Sequence, residues 1–232
     1  AIGGASNQYY YYGGGNIYVN DAAAAVANIS GGTVSDGTAT NNSGGNILCR
    51  GAGPLTVSGG TITGGTAGAL GGNIMNGASA KVTISGGTIS GGTSNTLKTG
   101  GRYHGDNITS FSGTLTISGG TIESKGNRVG EGILACYNAT LILDGDAKIT
   151  NAGKTGNIFV SSHLGGTPKL QVKSTFTGEA GVQWNTAYNS GDTVASTAGL
   201  CDGTYTGKLY YESLDSKPDI LGVDGSLVIG TN

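Results

Sequence analysis

Two short sequence blocks recur about every 28 residues, and this repeat constrains the fold more than any other feature. The first block reads Gly-Gly-Asn-Ile. Its copies, some of them degenerate, occupy residues 14–17, 44–47, 71–74, 100–102, 132–133 and 156–158. The second block follows the pattern Ile-Ser-Gly-Gly-Thr-Ile, and its copies occupy residues 29–34, 57–62, 84–89 and 117–122. Because the two blocks stay in phase, we predict a stack of similar coils.

The spacing inside each repeat indicates β-strands. Apolar residues alternate with Thr or Ser, as in Leu55–Val57 and Val82–Ile84, whereas a helix would space them three and four apart. The residues taken as equivalent between coils, with steps of 30, 27, 29, 30 and 25, are Asn16, Asn46, Asn73, Arg102, Gly132 and Asn157. Three short strands and three turns fit this length. We therefore predict an all-β fold, a right-handed single-stranded parallel β-helix of about six coils with a C-terminal non-repeat β cap.

Three regions follow from where the repeat begins and ends. We predict an N-terminal cap segment at 1–12, parallel β-helix repeats at 13–175 and a C-terminal capping β region at 176–232. Caps are expected because an open solenoid end exposes unpaired backbone groups. Within the last region, alternating apolar residues flank Asp224-Gly225, which predicts a hairpin with a two-residue turn between Ile220 and Ile229.

Stacking of the coils predicts which side chains are buried. The isoleucines of the first block and the apolar residues of the strands are expected to point inward and to stack between coils. One expected inward row is Val34, Ile62, Ile89, Ile122 and Ile149. Asn16, Asn46, Asn73 and Asn157 are expected to form an asparagine ladder that satisfies backbone groups at a corner.

Composition excludes several classes of protein. The chain has 47 glycines but only 3 prolines and no Gly-X-Y period, which excludes collagen. Its net charge is −2 with no basic face, so a nucleic-acid partner is not expected. No apolar run is long enough for membrane insertion. Low charge with much Thr, Ser and Asn predicts a secreted bacterial protein, extracellular or at the cell surface.

The cysteines are Cys49, Cys136 and Cys201, and their spacing matches neither a disulfide framework nor a metal site. Cys49 and Cys136 fall three coils apart, which is about 14 Å at the spacing of neighbouring strands and beyond disulfide reach. We expect small buried apolar side chains, with a Cys136–Cys201 bridge as the alternative.

The two blocks resemble the repeats of pectin-lyase-like right-handed β-helix proteins, above all those of polymorphic outer-membrane proteins and of Firmicutes surface adhesins. The resemblance covers about residues 13–175. It implies the fold but no single activity, because the superfamily holds lyases, hydrolases, tailspikes and adhesins. Its lyases combine clustered carboxylates with a basic residue, whereas the acids within residues 13–120, which are Asp21, Asp36 and Asp106, fall at non-equivalent positions of three coils. We therefore predict no catalytic residues, no metal and no cofactor.

The fourth coil is the candidate ligand site, because it is the most irregular. Where other coils read Gly-Asn-Ile, it carries Arg102, Tyr103, His104 and Asp106, and Arg128 follows. Loops that depart from a solenoid repeat often form the binding face, so these five residues are predicted to bind a glycan or a host surface protein. The alternative is a solvated loop with scattered charges.

Threonine rows offer a different function. Flat Thr-x-Thr arrays on β-solenoids are used by ice-binding proteins. Here the row that runs through Thr33, Thr61, Thr63 and Thr88 is interrupted by Glu123 and then by Lys148. The residues of this ice-binding alternative are Thr33, Thr61, Thr63, Thr88, Thr56, Thr83 and Thr116. Thr and Ser also occupy exposed strand positions for ordinary reasons of packing.

Together these features predict a non-enzymatic extracellular or cell-surface module, an adhesin-like domain or a stalk. A polysaccharide lyase or hydrolase and an ice-binding protein are the alternatives. Assembly into an oligomer or a filament stays open, since β-helix ends are pairing templates.

Overall fold

The computed structural model describes residues 5–6, 14–20, 25–95, 105–124, 132–151, 157–162, 166–212 and 217–231. These ranges form strands, turns and irregular segments without a helix. The strands are β1 (Ala5–Ser6), β2 (Ile17–Val19), β3 (Ala27–Ser35), β4 (Thr38–Ala39), β5 (Ile47–Arg50), β6 (Pro54–Thr63), β7 (Thr66–Ala67), β8 (Ile74–Gly77), β9 (Lys81–Ser90), β10 (Thr93–Ser94), β11 (Ile108–Ser124), β12 (Ile133–Leu143), β13 (Lys148–Asn151), β14 (Ile158–Ser161), β15 (Lys169–Val172), β16 (Glu179–Trp184), β17 (Gly199–Cys201), β18 (Lys208–Tyr211), β19 (Ile220–Val223) and β20 (Ser226–Ile229).

The predicted fold is confirmed as a right-handed parallel β-helix of about six coils. Each coil pairs in parallel with the next, and three rows of inward side chains define three faces. On the first face, one isoleucine marks each of coils one to six in turn: Ile17, Ile47, Ile74, Ile108, Ile133 and Ile158. The second face carries Ile29, Val57, Ile84, Ile117, Leu143 and Val172. The third face carries Val34, Ile62, Ile89, Ile122, Ile149 and Ala180.

The three rows meet in one continuous core. Among their members Ile62, Ile74 and Ile117 have no exposed surface, and the expected inward row from Val34 to Ile149 is buried throughout. Burying an aliphatic side chain of this size contributes about 1.5–3 kcal/mol. Since a single coil exposes both of its edges, the stability comes from the contacts between neighbouring coils.

The bend between the second and third faces explains the Gly-Gly pair of the second block. Gly60 has a φ of 82°, a conformation that L-residues rarely adopt. A Cβ atom there would lie 2.7 Å from the backbone carbon of Gly31 in the coil before. Glycine is therefore required both by the backbone angle and by the close stacking of the coils.

The asparagine ladder is confirmed for Asn16, Asn46 and Asn73. Each amide nitrogen Nδ2 donates to the Oδ1 of the next asparagine, at 2.7 Å for both steps. The ladder continues from Asn73 to Asn107 at 2.8 Å. The same side chains bond backbone groups of the turn, as where Oδ1 of Asn73 accepts the N–H of Gly65. Buried turn groups are thereby paired, as polar groups removed from water must be.

The register predicted for the fourth coil is wrong. The asparagine equivalent to Asn73 is Asn107 and not Arg102, because Ile108 pairs with Ile74 and Asn107 completes the ladder. The two asparagines are 34 positions apart, so the extra length of this coil precedes the repeated Asn-Ile position. The hydrogen bond between Asn73 and Asn107 and the inward position of Ile108 set the register of this coil, although Gly100-Gly101 resembles the start of the first block.

Asn157 was also expected in the ladder; it lies at the ladder position of coil six, but its side chain bonds a different partner. Gly132 occupies the equivalent position in coil five, which interrupts the row of asparagines. The Asn157 backbone N–H and side-chain amide instead donate to the two carboxylate oxygens of Glu212, at 2.9 and 3.1 Å. Glu212, which lies in the C-terminal region, thus accepts the hydrogen bonds of the asparagine at the last ladder position.

Parallel pairing continues beyond residue 175. Strands β16, β17 and β18 each pair in parallel with a strand of the coil before them. Strands β19 and β20 then form the predicted antiparallel hairpin, with Asp224 and Gly225 at positive φ in its turn. The division of the chain at 12 and 175 stays a prediction.

Cys49, Cys136 and Cys201 are buried and free, which confirms the first interpretation of the cysteines over a Cys136–Cys201 bridge. Burial raises the pKa of the Cys49 and Cys136 thiols to about 12. Both are therefore protonated at neutral pH and behave as small apolar side chains. Within the described ranges no helix is long and apolar enough to cross a membrane.

Candidate functional site

A groove of about 420 Å³ crosses coils two to five on the outer side of the first face. Its walls come from the ends of β5 and β8, from the bulged region where β11 pairs with β12, and from the turn that precedes β5. The lining residues are Asn42, Ser43, Leu48, Arg50, Met75, Gly77, Ala78, Phe111, Ser112 and Tyr137.

Two aromatic side chains form one end of this groove. Phe111 in coil four and Tyr137 in coil five are stacked, with centroids 4.9 Å apart and planes 10° from parallel. This separation matches the spacing of neighbouring coils, about 4.8 Å, so the stack runs along the solenoid axis. Tyr137 is 39% exposed. Exposed aromatic rings offer a flat apolar surface on which a ligand ring can pack.

A β-bulge places Tyr137 in this position. The register between β11 and β12 shifts after Ser110, so that Cys136 and Tyr137 together lie opposite Phe111. Cys136 is buried beside Phe159, whereas Tyr137 is exposed with a φ of 55°. Bulges of this kind re-aim side chains, and strained backbone of this kind concentrates at functional sites.

The outward row that contains Phe111 has one position without a side chain, which is Gly77. Arg50 pairs with Gly77 across coils two and three, and the register between β8 and β11, continued by one residue, places Phe111 beside Gly77. The outward row therefore reads Arg, Gly, Phe in successive coils. Gly77 has an ordinary φ, and a Cβ atom there would meet its nearest neighbour at 3.6 Å. Glycine at this position is required neither by the backbone angle nor by a steric clash.

The floor of the groove is apolar and its side wall is polar. Leu48 and Met75 point outward from the first face and are nevertheless 5% and 8% exposed. The turn that contains Asn42 and Ser43 lies beside them, and the Ser43 hydroxyl accepts the N–H of Leu70 from the next coil. A ligand in the groove would meet dispersion contacts below and hydrogen-bonding groups at the side.

The predicted ligand residues are only partly within the described structure. Arg102, Tyr103, His104 and Arg128 lie outside the described residues. Asp106 is described and is 5% exposed. Its carboxylate accepts hydrogen bonds from the backbone N–H and the hydroxyl of Ser94, at 2.9 and 2.7 Å. These bonds give Asp106 a role in joining coils three and four, and ligand binding by the five residues stays a prediction.

The threonine rows lie in register as the repeat predicts. On the third face Thr33, Thr61 and Thr88 are paired in successive coils, followed by Thr121 and then Lys148. The neighbouring row contains Thr63 and is interrupted at Glu123. On the second face Thr56, Thr83 and Thr116 form a third row. All of these side chains are at least partly exposed.

A second groove of about 460 Å³ lies nearer the C-terminal end, beside Trp184 and Tyr188. These rings pack edge to face, with centroids 5.8 Å apart, and both contact Tyr211. They are 3% and 9% exposed, so they present little ring surface to a ligand. Their contacts serve the core of the last coils.

The described residues that line these two grooves include no Asp, Glu or His. Among the described residues, no cluster of three His, Cys, Asp or Glu side chains is placed to hold a metal ion. Among the described residues, the ionisable side chains that line the first groove are Arg50 and Tyr137. What this groove offers is a charged side chain, a polar wall and an aromatic surface, which suits recognition.

Comparisons of this chain with protein-family models, with curated proteins and with solved structures find no match. The parallel β-helix is thus established by its own strand pairing. A function has to be argued from the chemistry of the groove.

Sequence reasoning missed this groove, although a signal for it existed. The third residue after the first-face isoleucine is Arg50, Gly77 and Phe111 in successive coils. Phe111 stands among Thr and Ser residues, which distinguishes this position from the rest of its strand. The error in the register of coil four hid the equivalence of these three positions.

Proposed function

We propose that this chain is a non-enzymatic extracellular or cell-surface module that binds a glycan in the groove on its first face. The observation that carries the proposal is the partly exposed Phe111–Tyr137 stack, which closes a groove that also contains Arg50. The rigid solenoid holds this groove at a defined place, as an adhesin or a stalk requires. The resemblance of the repeats to those of surface adhesins supports the same assignment.

The groove matches the two chemical sides of a sugar ring. One face of a pyranose carries C–H groups, which pack by dispersion on an aromatic ring. The ring edges carry hydroxyl groups, and the side wall offers the polar groups of Asn42 and Ser43. Binding sites commonly combine an apolar lining with a few placed polar groups in this way.

The ionisable groups of the groove favour binding without turnover. Cleavage of a glycosidic bond commonly uses two carboxyl groups, one as acid and one as base or nucleophile. The groove offers instead the guanidinium of Arg50 and the phenol of Tyr137. The thiol of Cys136 behind the stack is buried, and its pKa is raised to about 12, so it supplies no thiolate nucleophile at neutral pH.

A glycan array tests this proposal directly. Wild type is expected to bind a subset of glycans, and Phe111→Ala and Tyr137→Ala are each expected to weaken that binding roughly 2- to 12-fold, because each removes about 0.5–1.5 kcal/mol of stacking. Leu221→Ala is the matched control, since it removes an exposed apolar side chain, 48% exposed, far from the groove. It should bind as wild type does.

Two outcomes would contradict the proposal. Binding that survives both aromatic substitutions would exclude this groove as the site. Release of reducing or unsaturated sugars from the bound glycans would make the chain an enzyme. Thermal unfolding of each variant distinguishes lost binding from lost structure.

Ice binding is the second candidate, and the register of the threonine rows favours it. Thr33, Thr61 and Thr88 repeat at the coil spacing of about 4.8 Å, with a second row containing Thr63 beside them. Thermal hysteresis and adsorption to ice test this candidate. Activity that Thr61→Lys abolishes and Val223→Lys leaves intact would support it, and the absence of hysteresis in wild type would exclude it.

A further inference from the structure

We infer that the second groove, beside Trp184, is a separate binding site for a neutral sugar of one or two rings. The groove lies between the ends of β14 and β16 on one side and the segment 193–198, which precedes β17, on the other. The inference goes beyond the proposed function, because it assigns another site with a different chemistry and does not depend on the first groove.

The floor of the second groove and the segment 193–198 are joined by hydrogen bonds. The indole Nε1 of Trp184 donates to the carbonyl of Ala198 at 3.2 Å. The same segment is also held by β20, since the N–H of Val194 donates to the carbonyl of Leu227 at 2.8 Å. A site whose groups are already ordered loses less conformational entropy when a ligand binds.

The amide of Asn185 is a fixed polar group of the opposite wall. Its Oδ1 accepts the backbone N–H of Ser162 at 3.1 Å, and its Nδ2 donates to the Ser162 hydroxyl at 3.1 Å. An amide nitrogen carries two N–H donors, and among the described residues the second one has no acceptor. Because Asn185 is exposed and yet held by Ser162, this donor has a defined direction for a ligand.

Threonine hydroxyls supply further polar groups of the groove. Thr186, Thr193 and Thr197 line it and are exposed. Their hydroxyls make no hydrogen bond to any residue that the structure describes. A hydroxyl both donates and accepts, and so does each hydroxyl of a sugar. The walls can therefore pair with the edge of a sugar ring in either direction.

The charge of the groove favours a neutral ligand. Among the described residues that line it, Tyr188 alone has an ionisable side chain. Burial raises the pKa of this phenol above its usual value, so the side chain is uncharged at neutral pH. An ionised ligand group that left water for this groove would lose its hydration without gaining a counter-ion.

The floor and the size of the groove suit the C–H groups of a sugar. Val160, Pro168 and Trp184 are buried and present apolar edges at the floor, which offer dispersion contacts. The volume of about 460 Å³ lies near the lower end of the range for small-molecule sites, about 300–1,000 Å³. One or two rings can thus place C–H groups on the floor and hydroxyls at the walls.

The double variant Phe111→Ala/Tyr137→Ala, which lacks the aromatic stack of the first groove, isolates the second. We expect it to bind neutral glycans on an array and, in titration calorimetry, to bind cellobiose, galactobiose or both. The acidic counterparts, cellobiouronate and digalacturonate, should bind at least tenfold more weakly, because each brings a charge without a counter-ion into the groove.

Substitutions in the second groove assign this binding to it. Thr186→Val and Thr197→Val replace a hydroxyl by a methyl group, and each should weaken binding of the neutral disaccharide roughly 2- to 12-fold, the effect of one lost hydrogen bond. Ala195→Trp places a large side chain in the groove from an exposed position and should abolish binding. Thr206→Val is the matched control, since Thr206 is exposed and lines neither groove. Circular dichroism and thermal unfolding confirm that each variant is folded.

The outcomes distinguish this inference from the proposed function. Loss of all glycan binding in the double variant would overturn the second site and support the first groove. Equal binding of neutral and acidic disaccharides by the double variant, or full binding after Ala195→Trp is added to it, would also overturn the second site. Binding that survives loss of the aromatic stack and disappears with Ala195→Trp would support the second site and contradict the first. Failure of wild type to bind any glycan would overturn both.

Discussion

At the scale of single residues, glycine has two opposite roles in this chain. At Gly60 the positive φ and the approach of the neighbouring coil leave no room for a side chain. At Gly77 the backbone is ordinary and a Cβ atom would have only normal contacts. The first glycine is required by the fold, whereas the second is buried and lines the groove on the first face. Sequence alone does not distinguish them, because both lie in or beside predicted strands.

The structural role of Gly60 leads to a prediction about stability. Gly60→Ala should destabilise the protein by about 2–4 kcal/mol, since it combines an unfavourable φ with overpacking against the coil before. Gly31→Ala is the matched control at the preceding position of the same bend in coil one, where nothing lies within 4 Å. It should change the free energy of unfolding by less than about 0.5 kcal/mol. Chemical denaturation measures both, and equal effects would contradict the steric argument.

At the scale of elements, the coils are joined by side-chain ladders as well as by strand pairing. Asn73 lies in the middle of one such ladder. Its amide donates to Asn107 and to the carbonyl of Ser90, and its oxygen accepts from Asn46 and Gly65. The ladder thus satisfies the turn backbone and sets the register of neighbouring coils. It also explains why the isoleucine after each asparagine always points inward.

This arrangement predicts a large effect from one asparagine. Asn73→Ala should cost about 2–4 kcal/mol of stability, because it leaves several buried partners without hydrogen bonds. Asn28→Ala removes the same side chain from an exposed position of the second face and should be nearly neutral. Urea denaturation compares the two variants. If Asn73→Ala unfolds at the same urea concentration as Asn28→Ala, the ladder contributes no net stability.

At the scale of the whole molecule, the solenoid is one continuous core from coil one to the C-terminal strands. The last coils differ from the others in composition. Phe176, Trp184, Tyr205 and Tyr211 fill their interior, and Glu212 reaches back to Asn157. Aromatic residues here take the place of the stacked aliphatic rows, and the hairpin of β19 and β20 follows them.

Because the core buries titratable groups in their neutral form, stability should fall at high pH. Burial raises the pKa of Cys49 and Cys136 from the ordinary 9.0 to about 12 and raises that of Tyr205. Above pH 9.0 the unfolded thiols lose protons that the folded ones retain, so the free energy of unfolding declines toward pH 12. Below pH 9.0 this contribution is fully present.

Denaturation midpoints measured between neutral pH and about pH 11 check this expectation. The double variant Cys49→Ala/Cys136→Ala should show a shallower decline, because two of the buried groups are gone. A midpoint in wild type that does not change over this range would show that these groups are not buried in their neutral form.

The sequence by itself determined the class of fold, the inward rows and the hairpin at Asp224-Gly225. Each of these depends on a local pattern, either alternation of apolar residues or a turn dipeptide, repeated in phase. The register of coil four was not determined, since Gly100-Gly101 imitates the first block while the ladder bond to Asn107 decides the pairing. The groove was decided only by the tertiary structure. Arg50, Gly77 and Phe111 are distant in the sequence, and the groove that they line exists only once the coils have stacked and the bulge at Tyr137 has turned its ring outward.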